Sequence, residues 1–152
     1  MQKANYANIV MAIMDIAIDE RFINFCGEGD IYQVNAIDID NYPVFWVACT
    51  EPIVERENYI EYPLTLYYMD REKTQNNDRG DTDGILIHSN GVEILSNIIK
   101  KIKEMFSEVL VNEINEIQYT LWSDTEIFSD KTNGVYCSIR LALPKETKCY
   151  IE

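Results

Sequence analysis

The chain has 152 residues, 47% of them hydrophobic, and 13 basic residues against 26 acidic ones leave a net charge of −13. That length suits one domain able to bury roughly two-thirds of its unfolded surface, and the composition is neither disordered nor fibrous. The acidic balance repels phosphates, which argues against a sequence-reading nucleic-acid binder, and no apolar run approaches the roughly 20 residues that span a bilayer.

In chain order, Ala4 to Phe25 predicts a first helix. Ile9, Ile13 and Ile16 form one stripe and Val10, Met14 and Ala17 an adjacent one, with Gly27 as a stop. A helix so apolar in its middle is either sandwiched within one molecule or partly covered by a neighbouring subunit. Asp15, Asp19 and Glu20 interrupt the apolar stretch, so it is not a secretory leader. The four cysteines, Cys26, Cys49, Cys137 and Cys149, accordingly read as reduced thiols of a cytoplasmic product.

Gly27 to Asn41 is acidic and turn-rich, an irregular connector or short ribbon. Val44 to Thr50 is a continuous apolar run of strand length, and Leu64, Leu66 and Tyr68 alternate against Thr65, Tyr67 and Met69 in a second strand. Between them, Glu51 to Glu61 carries Pro52 and several charges and reads as a loop or exposed edge. Asp70 to Gly84 is the most polar segment, and a long mobile loop is expected over about residues 70–86.

Ser89 to Val109 predicts the central helix, about 30 Å long. Val92, Leu95, Ile98, Ile99, Ile102 and Phe106 recur at spacings of three and four, opposite Lys100, Lys103 and Glu104. Asn90 and Glu93 fit a capping box at its start, with Ser89 as a second cap, and the lysines suit the C-terminal end of the dipole. Ile117, Tyr119 and Leu121 then alternate in a third strand. In the fourth, Val135, Cys137, Ile139, Leu141 and Leu143 oppose Tyr136, Ser138, Arg140 and Ala142. Asn133-Gly134 reads as the turn before it, and Pro144 ends it. The fold class is α+β, one domain over residues 1–152. It is an antiparallel sheet of four strands, or slightly more, packed by two helices in the order α-β-β-α-β-β.

Chemistry-bearing constellations are sparse. His88 is the single histidine, beside the start of the central helix and with no cysteine near it in sequence, and reads as a cap-region or surface residue. Asp81, Asp83 and Gly84 fit three places of a calcium loop, but its first and twelfth places fall on Arg79 and Asn90, which cannot anchor the cation. The cysteines form no close pair, and no glycine-rich phosphate loop occurs. Neither a catalytic residue nor a metal or cofactor ligand is assigned, and no enzyme is expected. The strand aromatics, Trp46, Tyr67, Trp122 and Tyr136 among them, read as core or as a protein interface.

Several stretches come in a telling sequence: Tyr42 to Val47, the Tyr62 to Asp70 strand leading to a polar loop, Ser89 to Leu95, then Glu126 to Val135 and a last strand ending in Leu143-Pro144. From Tyr6 to Pro144 this order resembles the tail-terminator or tail-completion ring proteins of tailed bacteriophages, the head–tail connectors of Bacteroides-infecting, crAss-like phages especially. The resemblance implies a non-enzymatic virion protein, made in the host cytoplasm, that forms a homo-oligomeric ring at the head–tail junction or tail. Its partners would be copies of itself and adjacent portal, neck or tail rings, with genomic DNA only as passing cargo and no membrane. Under that reading, subunit contacts are expected from Ile9, Ile13 and Ile16, from the Glu72 to Thr82 loop with Arg79 and Asp81, and from Trp122, Tyr136 and Arg140. The alternative is a small acidic cytoplasmic binding or inhibitor protein of the DNA-mimic type. It requires carboxylates gathered in one rigid array, whereas here they are dispersed.

Overall fold

The computed structural model describes residues 2–3, 5–36, 41–71, 82–106, 110–111, 117–123, 132–145 and 148–149. In chain order the elements are β1 (Gln2–Lys3), α1 (Tyr6–Ile18), β2 (Phe25–Glu28), a 3-10 turn (Ile31–Ala36), β3 (Val44–Ala48), β4 (Val54–Glu55) and β5 (Tyr59–Arg71). There follow α2 (Thr82–Met105), β6 (Leu110–Val111), β7 (Tyr119–Trp122), β8 (Thr132–Pro144) and β9 (Lys148–Cys149). The class is α+β with two described helices, and the four strands read from the sequence are β3, β5, β7 and β8, but further short strands interrupt the expected α-β-β-α-β-β order. The sheet is larger than four strands and not wholly antiparallel: seven described strands join it, and β2 runs parallel to β3.

Its axis is the antiparallel pair of β5 and β8, in register from Tyr59 opposite Pro144 to Arg71 opposite Thr132. β3 and β4 flank β5, while β7 and β6 flank β8. β1 and β9 form a separate small pair. Because side chains alternate along a strand, this register sorts two faces. Leu64, Leu66 and Tyr68 with Val135, Cys137, Ile139 and Leu141 lie under the helices in one buried cluster, as their alternation predicts. Trp46, Thr65, Tyr67, Met69, Tyr136 and Arg140 have the opposite parity and belong to the other face.

α1 begins where Asn5 accepts a hydrogen bond from the Asn8 amide at 2.9 Å, and it ends at Ile18, well before the expected Phe25. The difference has a long-range cause. Asn24 donates its amide to the Pro43 carbonyl, and residues 25–28 find a ladder on β3, so the chain becomes extended where composition alone reads as a helical turn. Gly27 is no helix stop. It lies in β2 against the Trp46 ring, where a Cβ would collide with the indole.

α2 begins at Thr82, so Ser89, Asn90 and Glu93 are mid-helix residues rather than a capping box. Gly84 and Ile87 are buried and continue the apolar stripe of Leu95, Ile98 and Ile102 backwards. Of the loop expected over 70–86, Asp70 and Arg71 thus belong to β5 and residues 82–86 to α2, while residues 72–81 lie outside the described part. Gly91 lets α2 approach the sheet: a Cβ there would stand 2.5 Å from Val135 Cγ2 and 2.9 Å from Tyr68 Cδ1. The expected Asn133-Gly134 turn is also corrected. Both residues are buried inside β8, opposite Asp70 and Met69.

Candidate assembly surface

Ile9, Ile13 and Ile16 were expected to meet a neighbouring subunit, and the structure corrects this. Their exposures are 0%, 0% and 7%, because this stripe of α1, with Val10, Ala12 and Ala17, is the one laid against the sheet and α2. Glu72, Arg79 and Asp81 lie outside the described residues. Trp122, Tyr136 and Arg140 do share one face of the sheet, as their register dictates.

On that face the Tyr67 and Tyr136 ring centres are 5.6 Å apart, and the Trp122 ring lies 6.0 Å from Tyr136 and 6.2 Å from Tyr67. Gly134 makes room for the indole beside it. Burial, then the neighbouring Tyr136 and Asp30, raise the pKa of the Tyr67 phenol, which therefore stays neutral and able to donate at physiological pH. Further along β8, Arg140 Nη2 donates to Glu51 Oε2 at 2.7 Å, and Nη1 stands 3.8 Å from Glu61 Oε2. Thr65 links this region to its flanks, with its hydroxyl 3.1 Å from that of Thr50 and 3.4 Å from that of Ser138. Arg140 is thus engaged within its own protomer, with Glu51 in an exposed pair of the kind that adds little stability.

His88 lies in the second turn of α2, half-buried, with Nε2 2.7 Å from the Trp122 carbonyl oxygen. A carbonyl only accepts, so Nε2 carries the proton and the ring pins α2 to the end of β7. Burial, then the Asp15 carboxylate, push the Cys26 thiol from 9.0 to about 11, and burial pushes Cys137 to about 12. At neutral pH neither is a thiolate nucleophile.

These thiols give a pH signature. Each is protonated in the fold up to a higher pH than in the unfolded chain, so its contribution is complete below about pH 9 and is lost as pH rises towards 11 for Cys26 and 12 for Cys137. Urea midpoints should therefore be flat between about pH 7 and 9 and fall above that, with a shallower fall in the Cys26→Ser, Cys137→Ala variant.

No family model matches this chain, and no curated protein matches it either. Among the described residues no helix is long and apolar enough to cross a membrane, and no three His, Cys, Asp or Glu side chains gather as metal ligands.

The surface that sequence reasoning missed is on the opposite side of α1. Met11 and Ile18 are 58% and 48% exposed, and Phe22, in the turn just after the helix, is 46% exposed. Met11, Asp15 and Ile18 are spaced by four and three residues, so they form a stripe on the solvent pole, opposite the buried one. α2 carries a second apolar patch at its start, where Ile85 and Leu86 are 66% and 60% exposed. The available signal was a helical wheel: once the isoleucine stripe is assigned to the core, Met11 and Ile18 are left facing water.

Proposed function

We propose that this chain is a non-enzymatic assembly subunit, and specifically a ring component of a tailed bacteriophage particle of the tail-terminator or tail-completion kind. The single observation that carries the assembly reading is the uncovered stripe of Met11 and Ile18 on a helix that is apolar on both sides, with Phe22 exposed in the turn after it. Such a helix is expected to be enclosed, and in one protomer only one of its sides is. The half-buried aromatic cluster of Tyr67, Trp122 and Tyr136 offers a second surface of the composition interfaces enrich. The phage reading rests on the resemblance in element order. It agrees with a strongly acidic chain, whose charge keeps passing DNA from adhering.

The alternative, an acidic protein that mimics DNA, needs free carboxylates in a rigid row. Glu20, Glu51, Glu55 and Glu61 instead stand against Lys101, Arg140, Lys145 and Arg56 of the same chain.

Native mass spectrometry of the purified protein should give one closed oligomer, and peptides of the chain should be found in purified phage particles. A protein that stays monomeric at high concentration and is missing from particles removes this reading.

A further inference from the structure

We infer that the outer stripe of α1 in one copy seats on the outer face of α2 in the next, with Asp15 and Asp19 taking Lys100 and Lys103 in a head-to-tail contact. The inference rests on the assembly reading above and names the two surfaces that meet.

The stripe of Met11, Ile18 and Phe22 is flanked by acids in an awkward place. Asp15 lies in the last turn of α1 and Asp19 caps it, where the carbonyl end of the helix dipole already carries partial negative charge and no basic residue offsets it. The two acids are four residues apart, close enough to repel. Arg21, the nearest cation in sequence, lies over the Phe22 ring at 5.5 Å. Among the described residues no ion pair engages Asp15 or Asp19. A surface that covers this stripe must therefore present cations to the two acids.

The chain carries such cations itself. On the solvent pole of α2, Lys100 and Lys103 are exposed near the end, beside Glu104, about 21 Å or more along the axis from the exposed Ile85 and Leu86 at the start, and among the described residues neither lysine is in an ion pair. The neighbouring Lys101 shows that the two elements are chemically matched, because its Nζ reaches Glu20 Oε1 at 3.0 Å within one protomer. Around the helix, at 100° per residue, Lys100 is turned by about 100° and Lys103 by about 160° from Lys101, so neither is directed at that contact. The cations that suit Asp15 and Asp19 thus come from a second copy. Taken head-to-tail, the contact between these two different surfaces is heterologous and closes into a ring when the rotation permits.

The test is a charge swap read by sedimentation velocity. Asp15→Lys with Asp19→Lys in one variant, and Lys100→Glu with Lys103→Glu in another, should each weaken self-association by about tenfold or more. An equimolar mixture should restore it, because each altered face then meets its altered complement. Melting temperature should be unchanged or slightly higher in the aspartate variant, where cations replace anions at a helix C-terminus. Should either reversal fail to fold, the Asn and Gln versions at the same positions are read singly, without mixing, and no loss of self-association in either overturns the contact. Oligomers that persist in both variants, or a loss that mixing does not repair, overturn this contact and leave the assembly reading standing. A wild-type chain that stays monomeric at high concentration overturns this contact, and if it is also missing from phage particles it overturns the assembly reading as well.

Discussion

Gly134→Ala should destabilise the protein by about 3 kcal/mol or more, a large fraction of the 5–15 kcal/mol that holds a typical domain together. A Cβ at this position in β8 would collide with the Tyr68 carbonyl oxygen on one side and the Trp122 ring on the other. The first obstacle is backbone in the central strand pair, which cannot turn aside as a side-chain tip can. The second is the indole stacked near Tyr67 and Tyr136, whose displacement would also disturb the Trp122 carbonyl that receives His88. Gly91→Ala is the informative comparison. There the new methyl meets the Val135 and Tyr68 side chains, and a helix gains about 1 kcal/mol from losing a glycine, so the net destabilisation should be only about 1 kcal/mol. Urea unfolding at constant slope measures both, and a Gly134 variant no weaker than the Gly91 one contradicts the packing of Trp122 described here.

Ile13→Ala should destabilise by about 2–5 kcal/mol, whereas the double change Met11→Gln, Ile18→Gln should move stability by less than about 1 kcal/mol. Ile13 has no exposed surface and sits in the cluster that joins α1, α2 and the sheet, so its truncation leaves a cavity. Met11 and Ile18 already face solvent over about half of their surface, and glutamine forms helices as well as methionine does. Thermal or urea unfolding of the two proteins separates the folding side of α1 from the side left free. Equal destabilisation by both would mean that α1 is enclosed on both sides within one protomer.

How much of this was legible depends on whether the deciding contact is near in sequence. The faces of β5 and β8 could be read because Leu64, Leu66 and Tyr68, and Val135, Cys137 and Ile139, alternate with residues of visibly different chemistry. The buried side of α1 was visible too, in the spacing of Ile9, Ile13 and Ile16. What their spacing did not reveal is that this side faces the sheet rather than a neighbour, because isoleucine serves either purpose. Asn133-Gly134 and Ser89-Asn90-Gly91 have the composition of a turn and a cap. They became strand and helix because Trp122, Tyr68 and Val135, distant in sequence or on another element, need a residue without a side chain at Gly134 and Gly91. The expected interface residues divided along the same line: Trp122, Tyr136 and Arg140 share a face by period two, and the isoleucines went to the core.

The central claim is that α1 has one side for folding and another for joining copies. Sedimentation velocity of the wild type beside the Met11→Gln, Ile18→Gln variant tests it most directly. The wild type should form a concentration-dependent oligomer and the variant should be a folded monomer. Identical sedimentation of the two proteins, whether both monomeric or both assembled, would contradict it.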